Sequence, residues 1–141
     1  MVHSLVPELS VSDWQRSRRF YCEVLRFQAL YDRPEEGFSF LTLGQAALMI
    51  DQIGVGRTFD GGHAPDTYLY GRGMNLQITV VDVIALLDAA TGAGLPLFLP
   101  MEDRWYRRDA TDVGNRQFVI ADPDGYLLRF VQDLGSRPAA I

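Results

Sequence analysis

The 141-residue sequence has one cysteine, two histidines and no apolar run of signal-peptide or transmembrane length. A single cysteine, Cys22, excludes an internal disulfide, and together these absences predict a cytoplasmic protein without a membrane segment. No histidine is near Cys22 in sequence, so we expect a buried structural thiol rather than a nucleophile. A nucleophile elbow, a Walker loop and a dinucleotide fingerprint are also missing, and the catalytic classes that they mark are therefore not indicated.

Positive charge is also scarce. Thirteen Lys and Arg residues stand against 18 Asp and Glu residues, which gives a net charge of −5 and a pI near 4.9. Nucleic acid is therefore not an expected partner, because phosphate binding needs a clustered basic surface. A cationic ligand would be favoured electrostatically, although mild acidity could serve only solubility. The apolar fraction of 48% suffices for the core of one compact domain.

A strand followed directly by a helix occurs twice, 69 positions apart. Residues 5–11 alternate as a strand, and Ser12 with Gln15 predicts a capped helix start. Residues 75–80 alternate in the same way, and Asp82 predicts the start of a second helix that Gly92 and Gly94 end. The predicted core positions are Trp14, Ser17, Phe20, Tyr21, Val24 and Leu25 in the first helix, and Val83, Leu86, Leu87 and Ala90 in the second.

An apolar pair of strands follows each helix, now 80 positions apart. Phe38 aligns with Phe118 and Ile50 with Phe130, and turn residues separate the strands in each pair. The change of offset, 80 − 69, places eleven extra residues in the second half, within 95–115. This polar and aromatic segment is interpreted as a loop.

The repeat predicts an α+β fold made of two modules, with helices covering one face of the strands. We expect a single domain of 141 residues, with module one at about 4–66, a linker at about 67–73, module two at about 74–134 and a C-terminal tail at 135–141. The other strand face is mostly polar, which favours either a binding surface or simple solvent exposure. On the first strands this face carries Val6, Glu8, Ser10, Asn75, Gln77 and Thr79.

The duplicated unit, "VSDWQRSRRFYCEVLRF" and "DPDGYLLRF" together resemble the vicinal oxygen chelate superfamily, which includes glyoxalase I, extradiol dioxygenases and bleomycin resistance proteins. The resemblance covers nearly the whole chain. It implies tandem βαβββ modules whose eight strands form a cup-shaped mixed sheet with outer helices, commonly in a homodimer. It also implies a small-molecule ligand held in the cup.

Enzymes of that superfamily hold a divalent metal in the cup. The resemblance places their ligand positions on Val6, Met49, Asn75 and Arg129, which form no credible ligand set because such ions need imidazole or carboxylate donors. His3 lies near the N-terminus and His63 in a loop, and we expect neither to bind metal. An unaligned ligand set including Glu8, Asp51 or Asp66 stays open. We therefore predict no cofactor and no metal.

Arg129 could take the electrostatic place of the missing metal, anchor an anionic or carbonyl group, or form a salt bridge with Glu8 or another carboxylate. "GNRQFVIADPDG" resembles the corresponding segment of bleomycin resistance proteins. We therefore predict a metal-free homodimer that sequesters an aromatic or glycopeptide-like antibiotic of the bleomycin type. The alternatives are a metal-dependent lyase, isomerase or dioxygenase, and an interaction module with a vestigial cup. The predicted pocket residues are Glu8, Phe38, Phe40, Met49, Asp51, Asn75, Gln77, Trp105, Tyr106, Arg116 and Arg129.

Overall fold

A computed structural model describes residues 3–56 and 67–139. The chain divides into two compact units, of which one contains residues up to Met74 together with Asp122–Tyr126, and the other contains Asn75–Ala121 and the chain after Leu127. None of the helices in the described ranges has the length and apolar character needed to cross a bilayer. Residues 57–66, which include Asp66 and His63 with most of its predicted loop, lie outside the described residues.

Module one follows the order βαβββ. Strand β1 is Glu8–Val11, helix α1 is Trp14–Arg19 with a π-helical continuation at Phe20–Val24, and strands β2, β3 and β4 are Gln28–Arg33, Phe38–Leu43 and Ala46–Gln52. A short 3₁₀ turn, Pro34–Glu36, joins β2 to β3. The strands form a four-stranded mixed sheet in the order β1-β4-β3-β2, with β1 parallel to β4.

Module two repeats this order with longer strands. Strand β5 is Asn75–Thr79, helix α2 is Val83–Gly92, and strands β6, β7 and β8 are Leu99–Arg108, Thr111–Ala121 and Leu127–Pro138. Its sheet has the order β5-β8-β7-β6. The α+β class and the tandem βαβββ modules are thus confirmed, and the eight strands are hydrogen-bonded as two sheets of four.

The helix of each module packs on one face of its own sheet, as the repeat predicts. In module two, the Asp82 carboxylate accepts the Ala85 N–H at 3.0 Å, which caps α2, and Val83, Leu86 and Ala90 are buried. In module one, the cap is Asp13, which accepts the Arg16 N–H at 3.1 Å, so the prediction of Ser12 was one residue early. The N–H of Ser12 instead donates to Asp124.

The eleven extra residues lengthen strands rather than forming a loop. Strands β2, β3 and β4 have 6, 6 and 7 residues, whereas β6, β7 and β8 have 10, 11 and 12. The loop prediction at 95–115 was therefore wrong. Polar side chains do not prevent strand formation where a neighbouring strand supplies backbone partners, as β7 does for β6. Strand β8 also contains Gly135–Pro138, which we expected from the sequence to be part of a C-terminal tail.

Candidate functional site

Each sheet has an open face, defined here as the face turned away from the helix of its own module. Strand register assigns side chains to it, because alternate residues point to opposite faces and paired residues share a face. In module one, Glu8 pairs with Met49, and Met49 pairs with Phe40. Asp51 pairs with Phe38. All five predicted residues of this module therefore share its open face.

Three aromatic rings form a stack on the open face of module one. The ring of Tyr31 lies 5.4 Å from that of Phe40 and 6.0 Å from that of Phe38, both in stacked orientation. Phe38 is 5% exposed, whereas Tyr31 is 45% exposed. The guanidinium of Arg33 lies 3.9 Å from the Phe38 ring centre and pairs with Glu36 at 2.7 Å. Tyr31 is thus the most exposed ring of the stack, and the Arg33 guanidinium also lies 5.8 Å from its ring centre.

Tyr31 and Arg33 were not predicted from the sequence. Strand β2 lacks the alternation of apolar and polar residues that marked the other strands, since most of its side chains are partly or fully exposed. The spacing of Tyr31 and Arg33, two residues apart beside Pro34, is the signal that could have identified them.

Two carboxylates lie beside the aromatic stack. Burial, with a smaller contribution from the negative charges of Glu8 and Glu36, raises the pKa of Asp51 to about 6. Asp51 and Glu8 are neighbours because Ser10 pairs with Asp51 and Glu8 pairs with Met49 on adjacent strands. This part of the face therefore carries negative charge that a cation would stabilise.

The open face of module two has a different chemistry. Asn75 pairs with Leu127, and Gln77 pairs with Arg129, so the predicted Asn75, Gln77 and Arg129 all lie on this face. The Nε atom of Arg129 is buried and has no hydrogen-bond partner among the described residues. The salt bridge considered for Arg129 is likewise not found within the described residues.

Tyr106 and Trp105 lie on opposite faces of the module-two sheet. The Tyr106 hydroxyl accepts a hydrogen bond from the Gln117 amide nitrogen at 2.7 Å on the open face. Trp105 pairs with Gly114 and lies 4.1 Å beneath the guanidinium of Arg137. Because adjacent residues of a strand point to opposite faces, these two aromatics do not line one surface. The prediction that grouped them was wrong for Trp105.

Arg116 is also on the opposite face from Arg129. It pairs in register with Gln132, whose side chain accepts the Val83 N–H at the start of α2. The Arg116 guanidinium forms a two-pronged ion pair with Asp103, with distances of 2.8 and 3.0 Å. Arg116 therefore has a partner already and lies outside the open face.

A cavity of about 370 Å³ lies on the open face of module two. Most of its lining is polar, and Val113 and Val131 supply apolar contacts. The sequence identified only Gln77 among the residues around it. The polar members of the lining are Gln77, Thr79, Arg108, Asn115, Asp133 and Ser136.

The other candidate reactive groups of the described ranges are histidine, cysteine and carboxylate side chains. Within residues 3–56 and 67–139, no three His, Cys, Asp or Glu side chains are placed to hold a metal ion. Cys22 is half-buried rather than fully buried, and burial raises the pKa of its thiol, which disfavours the nucleophilic thiolate. Of the positions where the superfamily's enzymes bind metal, Val6 precedes β1 and has no donor atom. Met49, Asn75 and Arg129 also do not suit a divalent ion.

Two modules with this topology and open polar faces define the vicinal oxygen chelate class of protein. A family model described as Glyoxalase/Bleomycin resistance protein/Dioxygenase superfamily matches residues 2–130. The chain belongs to this superfamily. A search of curated proteins gives no match.

Several solved structures share the fold. TioX from Micromonospora sp. ML1 is 24% identical with a TM-score of 0.73, over 95% of this chain and 100% of that one. A protein of unknown function from Agrobacterium tumefaciens str. C58 is 26% identical with a TM-score of 0.68, over 95% and 96%. A glyoxalase/bleomycin resistance protein/dioxygenase from Alicyclobacillus acidocaldarius is 19% identical with a TM-score of 0.58, over 94% of each chain. Because TioX and the Alicyclobacillus acidocaldarius protein are less than 25% identical to this chain, their similarity shows the fold alone.

Proposed function

We propose that this protein binds a planar aromatic molecule that carries a positive charge, and that it does so without a metal. The observation that carries the proposal is the open face of module one, where an exposed Tyr31 ring, stacked on Phe40, lies in the same sheet face as Glu8 and Asp51. An aromatic or glycopeptide-like antibiotic of the bleomycin type is the ligand class that we propose. The protein would sequester this ligand rather than transform it.

The aromatic stack supports a planar ligand. Offset stacking on an aromatic side chain adds about 0.5 to 1.5 kcal/mol beyond the area that it buries. The rings of Phe38 and Phe40 both stack with Tyr31, and the Arg33 guanidinium lies 5.8 Å from its ring centre, so these contacts order the Tyr31 side chain before a ligand binds. A preorganised ring of this kind favours rigid, flat ligands.

The carboxylates support a positive charge on that ligand. Burial and the negative charge of Glu8 together raise the pKa of Asp51, which means that the ionised carboxylate lacks sufficient stabilisation in the free protein. A ligand cation at this place would provide it. The net charge of −5 acts in the same direction by attracting cations to the molecule.

The side chains at the superfamily's metal-ligand positions support the metal-free part of the proposal. Arg129 has a fixed positive charge at a position where related enzymes place a metal ligand, and Met49 and Asn75 offer neither imidazole nor carboxylate. The residues present do not fit a divalent ion, and we derive no chemical step through one. We further propose that the protein is a homodimer, as members of the superfamily commonly are, and light scattering would measure its mass. We also propose that it is cytoplasmic, because its single cysteine forms no internal disulfide.

Isothermal titration of chelator-treated protein with metal-free bleomycin tests the proposal. We expect saturable binding with a dissociation constant in the micromolar range or below. Two simpler probes separate the ligand class from the particular drug: 9-aminoacridine, a planar cation, and acridine-9-carboxylate, a planar anion. The cation should bind more tightly than the anion.

Each result has a distinct meaning. Binding of the acridine cation without bleomycin would retain the ligand class and remove that drug. Equal affinity for the two acridines would contradict the role of the carboxylates. Stoichiometric zinc, nickel, manganese or iron in protein purified without chelator would contradict the metal-free proposal and favour a metal-dependent enzyme.

A further inference from the structure

The cavity on the open face of module two is lined by polar side chains whose hydrogen-bonding capacity is largely unused. Within the described residues, the hydrogen bond found for these side chains runs from the Gly135 N–H to the Asp133 Oδ1 atom, at 2.7 Å. The lining side chains of Gln77, Asn115 and Ser136 form none with described residues. The cavity therefore has donors and acceptors available for a ligand.

Arg108 and Asp133 give the lining one charge of each sign. Neither side chain forms a salt bridge with a described residue, so the two charges do not neutralise each other. The Asp133 Oδ2 atom is also without a hydrogen-bond partner in the described ranges. A ligand that carries a carboxylate and an ammonium group could pair with both residues.

Strand register separates these two charges. Arg108 pairs with Thr111, and Asp133 pairs with Asn115, from opposite sides of β7. Four residues along β7 and two strand spacings across it place the Cα atoms of Arg108 and Asp133 roughly 16 Å apart. The long Arg108 side chain shortens this separation at the guanidinium. The matching ligand must nevertheless have well-separated charges, and the ends of an extended di- or tripeptide lie roughly 7 to 10 Å apart.

The neutral part of the lining suits a peptide backbone. The side-chain amides of Gln77 and Asn115 each donate and accept, as a peptide group does. Val113 and Val131 provide apolar contacts for small side chains. The volume of about 370 Å³ is within the usual range for a small-molecule pocket. A zwitterion has no net charge, so the net charge of −5 on the protein does not repel it.

We propose that the module-two cavity binds a short zwitterionic peptide of two or three residues, whose terminal carboxylate pairs with Arg108 and whose terminal ammonium group pairs with Asp133. This site is built from module two alone and does not depend on the aromatic ligand proposed for module one.

Three probes that differ only at their ends test this assignment. Trialanine has both terminal charges, N-acetyltrialanine lacks the ammonium group, and trialanine amide lacks the carboxylate. In ¹H–¹⁵N NMR titrations of the full chain, we expect saturable shifts of the Gly135 N–H and the Asn115 side-chain amide with trialanine. Each capped peptide should bind about fivefold or more weakly. The weaker binding of the amide is a sharp test, because the net negative charge of the protein would favour this cationic probe.

Two variants assign each end of the peptide. Asp133→Asn retains an acceptor for the Gly135 N–H, and it should weaken trialanine binding about fivefold while leaving the affinity for N-acetyltrialanine unchanged. Arg108→Gln should weaken trialanine binding to a similar degree and leave that of trialanine amide unchanged. Arg107→Gln, on the opposite face, is the matched control and should change neither affinity.

Several results would overturn the proposal. These are the absence of saturable shifts with trialanine, equal affinity for trialanine and both capped peptides, and unchanged trialanine affinity in Asp133→Asn or Arg108→Gln. Binding of free alanine as tightly as trialanine would also overturn it, because a single residue does not span the separation of the two charges.

Discussion

The two modules share a topology but present different chemistry on their open faces. Module one offers stacked rings beside carboxylates, with Tyr31 and Asp51 as its distinctive groups. Module two offers amides and hydroxyls around a cavity, and Arg129 lies on the same face with a buried Nε. The buried helix-facing positions, such as Ile50 and Phe130, are apolar in both modules because each module must bury a helix, whereas nothing in the fold dictates the other face. The repeat thus provides two scaffolds whose open faces differ in chemistry.

The turns before the last strands show the same divergence. Gly44, in the turn of module one, has no heavy atom within 4 Å of an added Cβ, whereas an added Cβ at Gly125 would lie 2.7 Å from the Leu69 side chain. The segment Asp122–Tyr126 is packed as part of the first compact unit. The turn at Gly44 therefore has open space around it, whereas the turn at Gly125 is closely packed against Leu69.

Gly71→Ala should have the largest effect on stability. An added Cβ would overlap the backbone of Gly125 and Tyr126, and backbone cannot move aside as a flexible side chain does. We expect a loss of about 3 kcal/mol in the free energy of unfolding, measured by urea denaturation. Gly92→Ala is the matched control, because it has open space in helix α2 and should not destabilise the protein. Equal stability of the two variants would show that the turn is not tightly packed.

Asp122 should give this turn a characteristic pH dependence. Its carboxylate accepts the Tyr21 hydroxyl at 2.6 Å and two backbone N–H groups, and burial nevertheless raises its pKa to about 6. A raised pKa means that the folded protein holds this proton more tightly than the unfolded chain does. Its contribution to stability therefore falls as the pH rises from about 4 to about 6, and is constant above.

Asp122→Asn removes this titration while preserving a group that can accept the backbone N–H bonds. Relative to the variant, the wild-type protein should lose about 2 to 3 kcal/mol of unfolding free energy between pH 4 and pH 7. Denaturant titrations at both pH values provide the measurement. A difference between the two proteins that does not change with pH would contradict the assignment.

Tyr31→Ala should weaken binding of the planar cation 9-aminoacridine. The loss of the exposed ring removes the stacking surface, and we expect an increase in dissociation constant corresponding to about 1 to 2 kcal/mol, measured by calorimetry. Phe98→Ala, which removes another exposed aromatic ring, in module two, should leave the affinity unchanged. An equal loss of affinity for 9-aminoacridine in both variants would contradict the proposed role of Tyr31 as the stacking surface.

Lowering the pH should weaken binding of the same cation. Because the pKa of Asp51 is about 6, the carboxylate loses its charge as the pH falls from 7.5 to 5, and the attraction for a cation decreases. We expect a severalfold increase in dissociation constant, equivalent to about 1 kcal/mol. In Asp51→Asn this pH dependence should disappear; if it persisted, another group would be responsible.

Trp105→Ala should have the smallest effect on ligand binding. Its indole lies under Arg137 on the face opposite Gln117, so both open faces stay intact in the variant. Calorimetry should show a change of less than about 0.4 kcal/mol, or twofold in the dissociation constant, for 9-aminoacridine. A tenfold loss of affinity would return Trp105 to the binding surface.

Sequence periodicity was sufficient for the part of the fold that depends on burial. Alternation and the helical repeat correctly identified the buried Val83, Leu86 and Ala90, as well as the shared face of Glu8, Met49 and Asp51, because a water-excluded face needs apolar residues at regular spacing. The repeat also indicated how much longer module two is, although it did not show that strands take up the extra length.

The residues of the proposed binding surfaces were harder to predict from sequence periodicity. Strand β2 contributes Tyr31 from the edge of a sheet, where exposure removes the apolar signal. Trp105 was grouped with Tyr106 because neighbouring residues in a loop can face the same way, which residues in a strand do not. Gln117 was hidden beside the apolar Phe118. Parity counted from Phe118 would have placed Gln117 on the open face, but burial of its carbonyl without a partner depends on tertiary packing.

The turn at Asp122–Tyr126 also determines when the first module can complete its structure during synthesis. Three hydrogen bonds, from Ser12 to Asp124, from Tyr21 to Asp122 and from Tyr126 to Ser10, span 101 to 116 positions of sequence. They cannot form until residues 122–126 have left the ribosome. Contacts of such separation slow folding, because a long loop must close before they contribute. A nascent chain ending before residue 122 therefore contains every strand of module one. It still lacks Asp122, Asp124 and Tyr126, with which module one forms these hydrogen bonds.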